Sequence, residues 1–307
     1  VYELAKKDPR VCFIGSDLGA GTLNKFKYEM PDRFFMEGVS EANIIGLAAG
    51  LALEGKIPYI NTIATFLSRR CFEQVVLDLG LHKAKVRLIA SGGGVVYAPL
   101  GPTHLATDDI AIMRVVPGMT ILAPADADEM KSLIPQTIDI EGPVYIRLGK
   151  GGDPLITNDL YNSIHKSFKI GDFFVFESNS KPKRDICIVS TGILLKNSID
   201  AAKIFESEGL STTVIHCPTI KPLDEKKLIN AIGDTKLILS IEEHSIIGGL
   251  GGFLSEILCE SGMPTRSRLK RIGIEDRFVN KYGTQNQLLN YFGLSTEAIV
   301  KQAKALL

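Results

Sequence analysis

A carboxylate set between two kinds of apolar run is the feature of this chain best suited to chemistry. Glu41 lies in Phe34-Phe35-Met36-Glu37-Gly38-Val39-Ser40-Glu41-Ala42-Asn43, and the small-residue run Ile44-Ile45-Gly46-Leu47-Ala48-Ala49-Gly50-Leu51-Ala52 follows at once. The first run has strand character and the second packs as a helix, so the acid stands at a strand-to-helix turn, where a buried carboxylate can be presented to a cofactor. By itself a Glu there also reads as a helix-start residue favoured by the positive end of the dipole. Phe66 and Phe72, in Phe66-Leu67-Ser68-Arg69-Arg70-Cys71-Phe72-Glu73-Gln74, have a spacing that fits two rings near one side of a helix, as core or as a stacking surface for a flat ligand. Gly101-Pro102-Thr103-His104 is a loop that can hold an imidazole rigidly at a pocket rim, and imidazole is the side chain suited to proton transfer near neutral pH. Asp109, in Asp108-Asp109-Ile110-Ala111, reads equally well as a helix-start acid.

These residues need a scaffold of buried strands. Short apolar runs at Val11–Ile14, Tyr59–Ile63, Val86–Ala90, Thr120–Ala123 and Val144–Arg147 alternate with stretches of helical spacing, which implies a parallel sheet with helices on both faces. The character changes after Gly149, and the polar Ser178-Asn179-Ser180-Lys181-Pro182-Lys183 suggests a linker and hairpin at 166–184 between a domain at 1–165 and a second at 185–307. In the second, strands are expected at Ile186–Ser190, Ser211–Ile215 and Leu237–Ile241, with helices from Asn197 to Glu208 and from Leu250 to Cys259. The fold class is therefore α/β, with two three-layer α/β domains. Glu242-Glu243-His244 and the glycines Gly248-Gly249-Leu250-Gly251-Gly252 invite a dinucleotide reading, because glycines let backbone amides approach phosphate at a helix N-terminus. The third glycine of that fingerprint is missing and the stretch stands clear of the expected strand, so no cofactor is expected there.

Taken in order, the Glu41 segment, the Phe66–Gln74 segment, Gly101–His104 with Asp109-Ile110-Ala111, and Glu242-Glu243-His244 with its glycines resemble the transketolase type of thiamine-diphosphate enzyme over nearly the whole chain. The resemblance implies a pyrimidine-binding thiamine-diphosphate fold followed by a transketolase C-terminal-like domain. It implies that Glu41 is the carboxylate that touches the far ring nitrogen of the cofactor pyrimidine and drives the tautomer in which the exocyclic amine is basic. It places Phe66 and Phe72 against the pyrimidine, brings His104 to the substrate, and puts Lys150 where family members hold a substrate phosphate with a basic residue. Lys offers a point charge in place of a bidentate fork. Arg70, Glu73 and Gln74 read as interface or packing positions, and the Glu242–Gly252 stretch as structural.

Departures from the family pattern carry as much information. Gly92 and Leu100 stand where sugar transketolases place a His and an Asp addressing substrate hydroxyls, and a leucine leaves a buried hydroxyl unpaired at a cost of about 1–3 kcal/mol. Gly92-Gly93-Gly94 with Val95-Val96-Tyr97-Ala98-Pro99 suggests a more apolar wall, so a deoxy, amino or otherwise modified sugar, or a 2-oxoacid, becomes the expected donor. The family binds the diphosphate through Mg2+ (or Ca2+) held in a Gly-Asp-Gly motif, but Gly171-Asp172 and Gly233-Asp234 are not followed by Gly. The metal-binding half is thus expected from an N-terminal diphosphate-binding subunit, with an α2β2 heterotetramer, and the chain resembles the C-terminal subunit of a split transketolase transferring a two-carbon ketol unit. Related alternatives are a 1-deoxyxylulose-phosphate synthase-like or 2-oxoacid dehydrogenase beta-like decarboxylating subunit. Further alternatives are a nicotinamide-binding protein and a noncatalytic scaffold.

Composition narrows the class without deciding the reaction. Lys plus Arg equals Asp plus Glu at 35 each, which leaves no electrostatic footprint for nucleic acid or an anionic membrane. Five scattered cysteines in apolar runs point to reduced thiols and a cytoplasmic setting. No apolar run approaches the roughly 20 residues of a membrane span, and the residues from Val1 lack signal-peptide character.

Overall fold

A computed structural model describes residues 1–16, 21, 23–163, 167–177, 184–261 and 267–307. The strands are β1 (Val11–Gly15), β2 (Phe34–Met36), β3 (Ile57–Ile63), β4 (Arg87–Ser91), β5 (Thr120–Leu122), β6 (Val144–Leu148), β7 (Phe174–Glu177), β8 (Arg184–Ser190), β9 (Thr212–His216), β10 (Thr219–Lys221), β11 (Thr235–Ser245) and β12 (Arg268–Ile274). Among the described residues they form a seven-stranded sheet ordered β10-β5-β6-β4-β3-β1-β2 and a five-stranded sheet ordered β12-β11-β8-β9-β7. All neighbours pair parallel except β10 with β5 and β7 with β9.

Both sheets are buried on both faces, which is why their strands read as continuous apolar runs. In the first, Ile14, Ile60, Leu88 and Tyr145 face one core while Phe13, Tyr59, Ile89 and Ile146 face another. In the second, Ile186 and Ile188 enter one core and Cys187 and Val189 the opposite one. Each aliphatic side chain removed from water in this way contributes about 1.5–3 kcal/mol.

Two strands depart from the expected hairpin and the expected division. β7 does not pair with β8; it lies antiparallel on the outer side of β9, with Phe174 opposite His216. β10 belongs to the first sheet although the chain supplies it after β9, and the Lys221 ammonium fixes that edge by donating to the carbonyls of Arg114 (2.8 Å) and Val116 (2.7 Å). The polar stretch Ser178–Lys183 and the expected boundary at residue 165 lie outside the described residues. Among the described residues no helix is long and apolar enough to cross a membrane, and all five cysteines are free thiols.

Candidate active site

β2 ends at Met36, and the chain turns through Gly38 into the helix Glu41–Leu53, whose Ile44, Ile45, Ala48 and Ala49 pack on the first sheet. That packing fixes the first helical residue, so Glu41 is held at the carboxyl edge of the sheet with 2% of its surface exposed. Ser40 does not cap the helix; its hydroxyl donates to the Glu37 carbonyl at 3.0 Å. The Glu41 Oε2 atom accepts a hydrogen bond from Arg70 Nη1 at 2.7 Å. Among the described residues that is the hydrogen bond made by its side chain, and Oε1 is left for another donor.

The helix expected to carry both Phe66 and Phe72 is interrupted. Ala64–Ser68 forms one short helix, the chain turns at Arg69–Cys71, and Phe72–Gln74 begins another that continues as a π-helix over Val75–Leu81. The break folds Arg70 back so that its guanidinium lies 4.1 Å from the centre of the Phe66 ring, a cation–π contact. His104 meets the same ring edge-on at 5.3 Å. Phe72 is half-buried against the first-domain core, so the helical spacing of the two rings does not carry over into a shared face. Burial, reinforced by the Glu41 charge, pushes the Cys71 thiol up to about 12, which keeps it a neutral donor to the Phe66 carbonyl at 3.1 Å.

His104 is half-buried, with Nδ1 paired to the Thr103 hydroxyl at 2.9 Å and, among the described residues, no hydrogen-bond partner on Nε2. Glu41, Arg70, Phe66 and His104 thus form one continuous chain of contacts. Arg70 is the member that sequence reasoning assigned to packing. No local pattern marks it, because Arg70 lies in the turn after the helix Ala64–Ser68 and reaches Phe66 through that break, not along one helical face.

Lys150 lies elsewhere. It is exposed and lines a cavity of about 530 Å3 beyond β4 and β6, together with Ser91, Asp126, Asp153 and Ile193, and none of Glu41, Phe66, Phe72 or His104 borders it. Asp109 is fully buried, accepting from Tyr145 Oη at 2.8 Å and Arg147 Nε at 2.9 Å, so its role is structural. The apolar wall expected from Val95, Val96 and Ala98 is not a wall of the site: all three are buried, and Val95 and Ala98 belong to the core of the second domain. Hydrophobic burial holds these side chains in the interior, whereas Leu100 stays at the surface with 52% of its area exposed.

β11 runs through Glu242-Glu243-His244 to Ser245, so the glycines follow the strand more closely than its apolar run suggested. The N-terminus of the helix Leu250–Glu260 is occupied by the chain's own acid: Glu242 accepts from the amides of Leu250 (2.7 Å) and Gly251 (2.8 Å). A phosphate would have to displace that carboxylate. Glu243 is also buried, and burial, only partly offset by Arg147, raises its carboxyl to about 7.

Among the described residues, those at the Glu41 edge suit a nitrogen heterocycle: a carboxylate oxygen free to meet a ring nitrogen, an aromatic ring joined to that carboxylate through Arg70, and an imidazole with one open nitrogen. Among the described residues no cluster of three His, Cys, Asp or Glu side chains is placed to hold a metal ion. Comparison with known proteins agrees with this donor set. The transketolase pyrimidine-binding domain matches residues 1–152, and the transketolase C-terminal domain matches residues 178–299. A 6-deoxy-6-sulfo-D-fructose transketolase subunit of Clostridium sp. is 34% identical over 99% of this chain and 90% of its own length. One of the subunits of an apulose-4-phosphate transketolase from Actinobacillus succinogenes is 36% identical over 92% of this chain and 87% of its own. Among solved structures, a split-gene transketolase described as an inactive β4 tetramer superposes with a TM-score of 0.84 at 32% identity, over 99% of this chain and 94% of that one. The chain belongs to the transketolase family, a thiamine-diphosphate-dependent family of ketol transferases, as a split subunit carrying the pyrimidine-binding and C-terminal domains.

Proposed function

We propose that this chain supplies the pyrimidine half of a thiamine diphosphate site and, joined to an N-terminal diphosphate-binding subunit that holds Mg2+ (or Ca2+), transfers a two-carbon ketol unit between sugar substrates in an α2β2 assembly. The observation that carries this reading is the contact chain Glu41–Arg70–Phe66–His104 at the carboxyl edge of the first sheet. Thiamine diphosphate, when bound, supplies the carbon nucleophile on which a two-carbon unit can be carried. Glu41 then shares a proton with a pyrimidine nitrogen through Oε1, while Arg70 fixes the rotation of the carboxylate through Oε2. Phe66 offers an apolar surface that excludes water and strengthens the Glu41 contact, and Phe72, packed against the first-domain core, backs that pocket. His104 offers Nε2 to a substrate oxygen, and the phosphate contact expected of Lys150 requires a substrate that extends from His104 to the cavity this lysine borders.

The donor is proposed to be a modified sugar. Leu100 stands exposed where a hydroxyl-binding acid would be expected, and the two related transketolase subunits are named for 6-deoxy-6-sulfo-D-fructose and apulose 4-phosphate. The test is calorimetric titration of thiamine diphosphate with Mg2+ into this chain alone and into its mixture with a diphosphate-domain subunit, followed by a donor screen that includes pyruvate. Tight binding in the mixture with transfer from a ketose supports the reading. Decarboxylation of pyruvate without ketose transfer replaces it with a synthase-type reaction, and absence of binding in both samples overturns it.

A further inference from the structure

The loop that bears His104 is built on the second domain. Gly94 and Ala106 close its neck by exchanging both backbone hydrogen bonds, at 2.9 and 3.0 Å. Within the loop, successive amides three residues apart bond backwards: Ala98 to the Val95 carbonyl at 3.0 Å, Gly101 to Ala98 at 3.1 Å, and His104 to Gly101 at 3.0 Å. The first rung hangs from the second domain, because the Val95 amide donates to Glu243 Oε1 at 2.9 Å. Gln285, at the start of the helix Gln285–Tyr291, donates to the same oxygen at 2.9 Å. Val95, Ala98 and Leu105 share a core with Leu288 and Leu289 of that helix.

The glycines of the loop record how tightly the two surfaces meet. Gly94 has φ of +66°, and a Cβ there would lie 2.5 Å from the Glu243 side chain; Gly101 has φ of +79°, and its Cβ would lie 2.4 Å from the Tyr282 ring. Glu243 therefore grips one end of the ladder and Tyr282 rests on the far end, one turn before His104. On the opposite side the first domain holds the loop through Arg69, which bonds to the Leu105 carbonyl and pairs with Asp108 at 3.2 Å.

We infer that the second domain sets the position of His104, with the Glu243 carboxylate and the Tyr282 ring as positioning residues that clamp the two ends of the Val95–His104 ladder. The inference rests on the reading that His104 meets substrate. It gives the second domain a part in the transfer reaction although it contributes no side chain to the Glu41–His104 contact chain. Small displacements of a catalytic group are costly, and a misplacement on the order of 1 Å lowers turnover about 100-fold.

The experiment combines amide hydrogen exchange with kinetics of the assembled enzyme for Glu243→Ala, Tyr282→Ala and Glu243→Gln. Both alanine variants are expected to speed exchange across Val95–Leu105 by about tenfold, with the other segments of the first domain unchanged. They are expected to lower kcat by roughly 10- to 100-fold while thiamine diphosphate binding is unaltered. Glu243→Gln keeps an oxygen for the Val95 amide and is expected to restore both readouts. Wild-type exchange in the alanine variants overturns the clamp, and faster exchange with wild-type kcat overturns its bearing on His104. Should Glu243→Ala fail to fold, Tyr282→Ala, which removes an exposed ring, decides alone. Exchange needs no turnover, so an assembled wild type without ketol transfer would refute the proposed function and leave the clamp to be judged on exchange.

Discussion

Glutamate and histidine stand near each other in the first domain as Glu41 and His104 and in the second as Glu242-Glu243-His244, yet of these two groups the first alone retains the capacity to do chemistry. In the second domain Glu242 has both oxygens on backbone amides, Glu243 accepts from Val95 and Gln285, and His244 accepts from the Ala111 amide at 3.3 Å while pairing with the Ser245 carbonyl at 2.7 Å. In the first domain, among the described residues, Glu41 keeps one oxygen and His104 one nitrogen, with His104 edge-on to Phe66 and Glu41 joined to that ring through Arg70. The second-domain sequence is the richer in catalytic residue types, but its hydrogen-bonding capacity is consumed by the backbone it organises. Density of polar residues therefore identifies a site less well than the bonds those residues leave unmade.

The comparison breaks most decisively at Glu41. Glu41→Gln is expected to lower ketol transfer in the assembled enzyme by about a thousandfold, within the range for loss of a positioned acid–base group, while the melting temperature of the subunit stays near that of the wild type. Activity within tenfold of wild type would show that the carboxylate is no more essential than its buried counterparts.

The pH dependence of stability should come from the second domain. Burial raises the Glu243 carboxyl from 4.5 to about 7, with Arg147 opposing the shift and Asp153 adding to it. A carboxyl raised on folding contributes stability that is fully present below its unfolded value and is lost as pH rises through the folded one. Between about pH 5 and pH 8 the wild type is therefore expected to lose about 3 kcal/mol relative to Glu243→Gln, whose side chain stays neutral. Urea titrations of both proteins across that window measure it, and parallel curves would remove Glu243 as the source.

How much of this was legible in the sequence follows from the range of the forces involved. The strands from β1 to β6 could be read because burial on both faces makes each a run of apolar residues. Glu41 could be placed because the strand, the turn and the small-residue helix that present it are contiguous. Arg70 escaped because its partner lies 29 residues away, and the helix break that turns it onto Phe66 carries no proline or glycine to announce it. Val95 and Ala98 were misread as a site wall because an apolar loop residue does not reveal which domain's core it enters. β7 and β10 join distant strands as short antiparallel edges, and pairing of that kind leaves no periodic mark on a stretch so brief.

A milder test of the second-domain acids is Glu242→Ala. It leaves the Leu250 and Gly251 amides without an acceptor at the N-terminus of their helix, next to an exposed turn that water can reach. A loss of about 2 kcal/mol in unfolding free energy is expected from denaturant titration, with thiamine diphosphate affinity of the mixed subunits unchanged. A drop in affinity at unchanged stability would reverse the assignment and give this stretch a binding role.

Arg70→Lys sharpens the comparison from the first domain. A lysine can still neutralise Glu41, but it loses the planar guanidinium that stacks on Phe66 while donating to Oε2. If Arg70 only balances charge, the variant should transfer ketol units at the wild-type rate. If it fixes the carboxylate against the ring, Glu41 gains rotational freedom, and turnover should fall about tenfold with little change in substrate KM. The second outcome is expected, because a half-exposed arginine that pairs with a buried carboxylate and covers a ring joins the two groups whose relative placement the reaction needs. Equal losses for Arg70→Lys and Arg70→Ala would locate the effect in the planar group, whereas a graded series would return it to charge.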